Sequence, residues 1–133
     1  MILPDTSAWI EFIRGSRSDV HFAMARALSQ DRDIVTTGVV VMELLAGEPS
    51  DTDAARTRST LLEYPMTPLH APRDFEEAAR IYRRCRAAGG TVRQLTDCLI
   101  AVAAMKAGAA VLHLDRDFDV IARYTGLRIE PVG

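Results

Sequence analysis

The chain alternates short apolar runs, typical of buried strands, with longer segments of helical periodicity. The apolar runs predict five strands, at residues 1–3, 33–37, 66–70, 109–114 and 127–132. The periodic segments predict helices at residues 8–14, 19–29, 39–47, 50–64, 72–90, 95–108 and 117–126. Strands separated by helices indicate a parallel sheet with helices on both faces, so we expect an α/β fold. No linker, repeat or low-complexity segment divides the chain, and a single domain over residues 1–133 is expected.

Helix boundaries are marked most clearly around three of these segments. Thr6 or Ser7 is predicted to cap the first helix, which Gly15 ends. The helix over 72–90 has a proline and acids at its start, and arginines before paired glycines at its end. The helix over 95–108 is nearly apolar on all sides, which predicts a buried position against the sheet.

Composition narrows the class of protein. Charged residues make up 26% and hydrophobic residues 48%, as in ordinary soluble domains. The N-terminal segment has no basic region before its apolar residues, and no segment of membrane-spanning length lacks charges, so we expect a cytoplasmic protein with no membrane attachment. Cys85 and Cys98 do not form a CxxC pair and are expected to be buried, and the three histidines lack zinc-ligand spacing.

The net charge of −2 conceals an uneven distribution of basic residues. Lys106 is the single lysine among 16 basic residues, so the others are arginines. If five of the 18 acids surround metal ions, 13 remain against 16 basic groups. That mildly cationic remainder suits a phosphate-rich partner, although surface solubility explains the same numbers.

Acidic residues follow two of the predicted strands. Asp5 ends the first strand, and Asp115 and Asp117 follow the fourth. Ligands of open parallel sheets bind outside the carboxyl ends of strands, where the strand order reverses. If the first and fourth strands are neighbours, these three carboxylates meet at one edge of the sheet.

Two further acids belong to helices that lead toward the same edge. Glu43 lies within "VVVMELLAG", and its neighbours three and four positions away are all apolar or small. Asp97 lies at the start of the apolar helix before the fourth strand. Each of the five acids, taken singly, has an ordinary role as a cap, a turn former or a solvated side chain. Together they indicate convergence on one cleft.

Carboxylates packed closely cannot all stay ionised without cations between them. Mg²⁺ and Mn²⁺ favour oxygen ligands, and such a cluster activates water and neutralises charge on a phosphodiester. Metal-assisted phosphodiester hydrolysis is therefore the predicted chemistry. The hydroxyls of Thr6 and Ser7 are candidates to bind water or phosphate, with helix capping as the alternative. Candidate phosphate contacts, each with a solvated surface position as its alternative, are Arg14, Arg93 and Arg116.

Four segments carry a resemblance to a known family: "PDTSAWIEF", "VVVMELLAG", "LTDCLIAVAA" and "VLHLDRDFDVIA". In this order and spacing they resemble a PIN-domain ribonuclease, and more narrowly the VapC toxins of bacterial toxin–antitoxin pairs. The resemblance covers essentially the whole chain. It implies a parallel five-stranded sheet in the order 3-2-1-4-5, flanked by helices.

The resemblance also implies a site and partners. It places Asp5, Glu43, Asp97 and Asp115 in a metal site, with Asp117 as a fifth acid, and leaves open whether Asp115 or Asp117 is the primary ligand. It further implies Mg²⁺ or Mn²⁺ as cofactor, cleavage of transfer or ribosomal RNA, homodimers, and a small VapB-like antitoxin that blocks the site.

Two other classes of protein also place an aspartate at a strand end. A haloacid-dehalogenase-like phosphatase requires a DxD motif there, and "DTS" lacks the second acid. A response-regulator receiver, which is not an enzyme, requires a lysine after a late strand, whereas Lys106 lies in the apolar helix. Both remain alternatives with less support than the nuclease.

Overall fold

The computed structural model describes residues 1–132, which form seven helices and four short strands. In chain order the elements are β1 (Ile2–Pro4), α1 (Thr6–Arg14), α2 (Asp19–Ser29), β2 (Thr36–Thr37), α3 (Gly38–Ala46), α4 (Asp51–Leu61), β3 (Met66–Thr67), α5 (Arg73–Ala87), α6 (Leu95–Ala107), β4 (Ala110–Leu112) and α7 (Arg116–Tyr124).

The strands pair in parallel, in two small sheets. β1 pairs with β4, with Leu3 opposite Val111, and β2 pairs with β3. Isolated parallel bridges join Ile2 to Ile34 and Val111 to Ile129. The side-by-side position of β1 and β4 brings their carboxyl ends together, and the acids that follow them enter the same space.

The α/β class with parallel strands is confirmed, whereas the five-stranded order stays a prediction. Within residues 1–132 there are four strands in two sheets, and the segment predicted as the fifth strand contributes a single bridge at Ile129. Proline accounts for part of this shortness, because it has no N–H to donate to a ladder. β3 lies between Pro65 and Pro68, and Pro131 follows the bridge.

The helix α6 lies in the core, as its composition predicts. It packs against α3, α5, α7 and β4, and buries its residues Asp97, Cys98, Ile100, Ala101, Val102, Ala103 and Ala104. Both cysteines are free and buried. No helix within residues 1–132 is long and apolar enough to cross a membrane.

The start of α1 differs from the sequence prediction. Asp5, rather than Thr6 or Ser7, is the N-cap, and its Oδ1 accepts a hydrogen bond from the Ala8 N–H at 3.0 Å. A carboxylate is as good a cap as a hydroxyl, and the helix begins two residues earlier than the apolar periodicity suggests. The predicted end is confirmed, because Gly15 is the C-cap in the left-handed conformation.

Candidate metal centre

Asp5 projects from the end of β1 into the space between the strand ends. Asp5 is only 3% exposed, and its Oδ1 accepts hydrogen bonds from the Ser7 hydroxyl, at 2.6 Å, and from the Ala8 N–H. Burial raises the pKa of Asp5 to about 6, and the hydrogen bond from Ser7 limits that rise. The same residue therefore caps a helix and presents a carboxylate to the site.

Three further carboxylates form a compact cluster beside it. Asp97, Asp115 and Asp117 each offer an oxygen, and these oxygens lie within 4.8 Å of one another. Asp97 begins α6, whereas Asp115 and Asp117 follow β4. Within residues 1–132, Asp97 Oδ2 and Asp117 Oδ1 are buried and have no hydrogen-bond partner. Buried acceptors without partners are costly, so this arrangement favours a cation between them.

Asp97 and Asp117 have pKa values that are shifted in opposite directions. Burial raises the pKa of Asp97 to about 8, assisted by its interaction with Asp117 and by the charges of Asp115 and Asp5. Burial also acts to raise the pKa of Asp117, but hydrogen bonds from the backbone N–H groups of Arg93 and Gln94 outweigh it and hold that pKa below its ordinary value. At neutral pH the metal-free cluster therefore keeps a proton on Asp97 and a charge on Asp117.

Asp115, in the loop after β4, is held by hydrogen bonds to both its side chain and its backbone N–H. Asp115 is the N-cap of α7, where its Oδ1 accepts the Asp117 N–H at 2.9 Å. Its own N–H donates to His113 Nδ1 at 3.0 Å, and His113 Nε2 lies 3.2 Å from Asp119 Oδ1. Neither His113 nor Asp119 was among the predicted site residues. The signal for His113 was its position directly after the apolar run of β4.

The Arg93 side chain lies on the cluster itself. Its guanidinium is 3.5 Å from Asp115 Oδ1 and its Nε is 3.5 Å from Asp117 Oδ1. Arg93 was predicted to contact phosphate near the acids. It does lie beside the acids, and its partners in this structure are their carboxylates. The backbone N–H groups of Arg93 and Gln94 also donate to Asp117 Oδ2, a contact that sequence reasoning missed.

Glu43 is hydrogen-bonded to α1 and is not one of the three clustered acids. Its Oε1 accepts the Thr6 hydroxyl at 2.7 Å, which joins α3 to the first residue of α1. Glu43 is partly exposed, while its helix neighbours Val39 and Val40 are buried. Glu43 therefore lies at the rim of the site, next to the residue that follows Asp5, and not among the three clustered oxygens.

The remaining candidate phosphate contacts lie on the surface around the acids. Arg14 is exposed and lines a cleft together with Glu43. Arg116 is exposed and lines a different groove, together with His113 and Asp115. Ser7 is used internally, since its Oγ accepts the Leu114 N–H at 2.8 Å in addition to donating to Asp5. That it binds phosphate or water remains a prediction.

Comparison with known proteins places this geometry in a family. The family model described as PIN domain matches residues 2–124. VapC ribonuclease Mb1587 of Mycobacterium bovis is 41% identical over 129 residues, which cover 96% of each chain, and Ribonuclease VapC11 of Mycobacterium tuberculosis matches equally well. The chain belongs to the VapC ribonucleases of the PIN-domain family. The family predicted from the acidic motifs is confirmed.

Solved structures support the PIN fold over nearly the whole chain. FitAcB from Neisseria gonorrhoeae superposes with a TM-score of 0.74 at 20% identity, and covers 98% of this chain and 97% of that one. VapBC2 from Rickettsia felis, bound to a promoter DNA fragment, gives a TM-score of 0.70 at 17% identity, with 98% of both chains covered. At such identities the likeness concerns the fold alone.

The donor set of this PIN domain fits a hard divalent cation. All the groups in the cluster are carboxylate oxygens, the ligands that Mg²⁺ and Mn²⁺ prefer, and two of the buried oxygens lack a partner. Cys98 adjoins Asp97 in sequence, but burial raises the pKa of its thiol to about 12, so it offers no thiolate ligand.

Proposed function

We propose that this VapC-type PIN domain hydrolyses RNA phosphodiester bonds with Mg²⁺ or Mn²⁺ as cofactor. The observation that supports the proposal best is the cluster of Asp97, Asp115 and Asp117, which holds two buried oxygens without hydrogen-bond partners. Asp115 and Asp117 follow β4 and Asp97 begins α6, so the cluster lies at the carboxyl-terminal edge of the parallel β1–β4 pair, where ligands of open α/β sheets bind.

Asp5, Asp97, Asp115 and Asp117 are the proposed metal-holding residues, with Glu43 as the outer member. A bound dication supplies a water of lowered pKa and neutralises charge on the phosphate undergoing displacement. Thr6 orients Glu43 toward the site, because its hydroxyl donates to Glu43 Oε1. Burial and its acidic neighbours raise the pKa of Asp97 to about 8, so a cation bound to the cluster would compete with the proton on this carboxyl group.

Substrate contacts fall to the basic residues around this cleft. Arg14, Arg93 and Arg116 are exposed and flank the acids, and we assign them to the RNA phosphates on either side of the scissile bond. Guanidinium groups suit this role because they form paired hydrogen bonds with phosphate oxygens. Transfer RNA or ribosomal RNA is the proposed substrate; among structural neighbours, VapC20 of Mycobacterium tuberculosis is described as a sarcin-ricin loop cleaving toxin.

The proposed biological role is that of a toxin controlled by a VapB-like antitoxin. Structural neighbours include VapBC-5 of Mycobacterium tuberculosis, described as a member of the VapBC family of toxin–antitoxin systems, and a toxin–antitoxin complex from Klebsiella pneumoniae. Homodimer formation and a cytoplasmic location belong to the same proposal. So does the strand order 3-2-1-4-5, which the Val111 N–H to Arg128 carbonyl bond and the Val35 N–H to Ile2 carbonyl bond support at two junctions.

The proposal is tested with purified protein and structured RNA in Mn²⁺ or Mg²⁺. We expect cleavage at few positions, with 3′-hydroxyl and 5′-phosphate ends, and loss of cleavage in excess chelator or in Asp97→Asn. Ser59→Ala, on the exposed surface of α4, is the matched control and should cleave normally. Undiminished cleavage in chelator would contradict the metal mechanism. Turnover of small phosphate esters without RNA cleavage would favour the phosphatase instead.

The toxin role requires a separate experiment in cells. Expression of the protein alone should arrest growth, and co-expression of a neighbouring antitoxin gene should restore it. Asp5→Ala should be harmless at equal protein level. If the wild-type protein and Asp5→Ala have the same effect on growth, the toxin role is contradicted.

A further inference from the structure

We propose that the Arg93 guanidinium is an internal counter-ion of the acidic cluster, which a divalent cation must displace and which thereby lowers the affinity for metal. The displaced side chain then remains tethered beside the cation, in reach of substrate phosphate. This inference rests on the proposed metal-dependent function and deepens it, because it assigns to one arginine a role in both metal loading and RNA cleavage.

The contacts of Arg93 are ionic rather than tightly hydrogen-bonded. Both of its nitrogen–oxygen distances, to Asp115 Oδ1 and to Asp117 Oδ1, are 3.5 Å, longer than good N–H···O bonds. The side chain is 56% exposed, so water already solvates much of the guanidinium. Only the arginine end of these ion pairs is exposed, since the Asp117 side chain is 1% exposed and that of Asp115 is 24% exposed. A dication carries twice the charge of the guanidinium, so we expect it to compete for the same oxygens.

The backbone beneath this side chain is fixed. Arg93 N and Gln94 N each lie 3.0 Å from Asp117 Oδ2, and Val92 is buried with 4% exposure. Gly90 lies flush against α7, because an added Cβ there would be 2.9 Å from side-chain atoms of Val120 and Tyr124. The guanidinium can therefore leave the acids without any movement of the segment that holds Asp117.

Arg93 and a divalent cation would compete for the same carboxylate oxygens. Asp117 Oδ1 is buried and without a hydrogen-bond partner among residues 1–132, and the cation nearest to it is Arg93 Nε. The oxygens of Asp117 and Asp115 that face Arg93 belong to the carboxylates of the metal-binding cluster. A guanidinium and a dication at the same oxygens repel each other, so removal of the arginine charge should strengthen metal binding. It should also remove a contact to the phosphate, so cleavage should weaken.

The test measures Mn²⁺ affinity by titration calorimetry or by electron paramagnetic resonance of free Mn²⁺, at one fixed alkaline pH. We expect Arg93→Gln to bind Mn²⁺ about tenfold more tightly than the wild-type protein, and Arg93→Lys to bind nearly as the wild type does. Arg93→Met keeps the aliphatic length without the charge and repeats the test if Arg93→Gln folds poorly. The matched control is Arg123→Gln, which removes an exposed charge from α7 and should leave the affinity unchanged.

RNA cleavage at saturating Mn²⁺ supplies the second readout. Arg93→Gln should cleave at least tenfold more slowly despite its tighter metal binding, and this pairing of opposite effects is what a purely structural role would not produce. Equal or weaker Mn²⁺ affinity in both Arg93→Gln and Arg93→Met would overturn the counter-ion role while leaving the metal site intact. Absence of Mn²⁺ binding in the wild-type protein, with Asp97→Asn indistinguishable from it, would instead overturn the proposed function together with this inference.

Discussion

The Ser7 Oγ lies 2.8 Å from the backbone nitrogen of Leu114, a residue 107 positions later in the chain. The same oxygen donates its proton to Asp5 Oδ1 at 2.6 Å. One hydroxyl thus joins the carboxyl end of β1 to the loop after β4, and the two acidic segments of the site meet across it. The cluster depends on this junction as well as on the acids themselves.

Replacement of Ser7 by alanine should therefore loosen the site without removing any carboxylate. We expect a loss of about 1 kcal/mol in the free energy of unfolding, since two hydrogen bonds are lost and Leu114 N can turn to water. The kcat for RNA cleavage should fall by about tenfold, because Asp5 and Asp115 are no longer held together. Denaturant unfolding and single-turnover kinetics measure these effects. Ser16→Ala, whose hydroxyl contacts only the nearby, partly exposed Ser18, serves as control. Unchanged kinetics in Ser7→Ala would refute the junction's role.

The pKa of Asp97 predicts an unusual pH dependence of stability. In the fold it is raised from 3.8 to about 8, so between these values the folded protein keeps a proton that the unfolded chain has lost. The free energy of unfolding should then decrease as pH rises toward 8, and level off above it. Asp5, with a pKa of about 6, adds an effect of the same sign below pH 6. The effect of Asp117 has the opposite sign, because its pKa is lowered in the fold. Its contribution to the free energy of unfolding is lost only as pH falls below about 4.

Thermal unfolding in chelator at pH 6 and pH 8 measures this effect. The wild-type protein should have the higher Tm at pH 6, and Asp97→Asn should show a smaller difference between the two pH values. All other titratable groups are shared by both proteins, so the comparison isolates Asp97. Identical pH differences in the two proteins would mean that Asp97 is not protonated in the fold.

Glu43→Gln should separate folding from activity. Gln Oε1 can still accept the Thr6 hydroxyl, so the contact between α1 and α3 persists and the Tm should change little. The negative charge is lost, and we expect RNA cleavage to fall by about 100-fold, equivalent to about 2.7 kcal/mol in transition-state stabilisation. Thr6→Val provides the companion measurement: Glu43 keeps its charge but loses its orientation, and activity should fall less. Normal cleavage by Glu43→Gln would assign this residue a solvated role at the rim.

The sequence predicted the acids better than it predicted how they are held. Asp5, Asp115 and Asp117 could be placed because they follow apolar strands, and the parallel sheet then brings strand ends together. The cap role of Asp5 was assigned to its neighbours, because Asp, Ser and Thr all serve as caps and periodicity does not distinguish adjacent positions. The backbone N–H groups of Arg93 and Gln94 gave no signal, since every residue except proline carries one. The short β3 was predicted too long because Pro68 interrupts its ladder.

The respective roles of Asp115 and Asp117 can be resolved by paired substitutions. Asp117 is fully buried, and its Oδ2 accepts two backbone N–H groups, so Asp117→Ala should release the segment at residues 93 and 94. Asp115 is partly exposed and caps α7, so Asp115→Ala should cost about 1 kcal/mol, the usual cost of a lost N-cap.

We expect Asp117→Ala to lower the Tm more than Asp115→Ala does, and both to weaken Mn²⁺ binding. The discriminating variant is Asp117→Asn, whose amide oxygen can keep the two backbone bonds while its amino group faces the cluster in place of Oδ1. If Asp117 is the primary ligand, Asp117→Asn should lose Mn²⁺ affinity with little loss of Tm, and Asp115→Asn should retain more affinity. The reverse order of affinities would assign the primary role to Asp115.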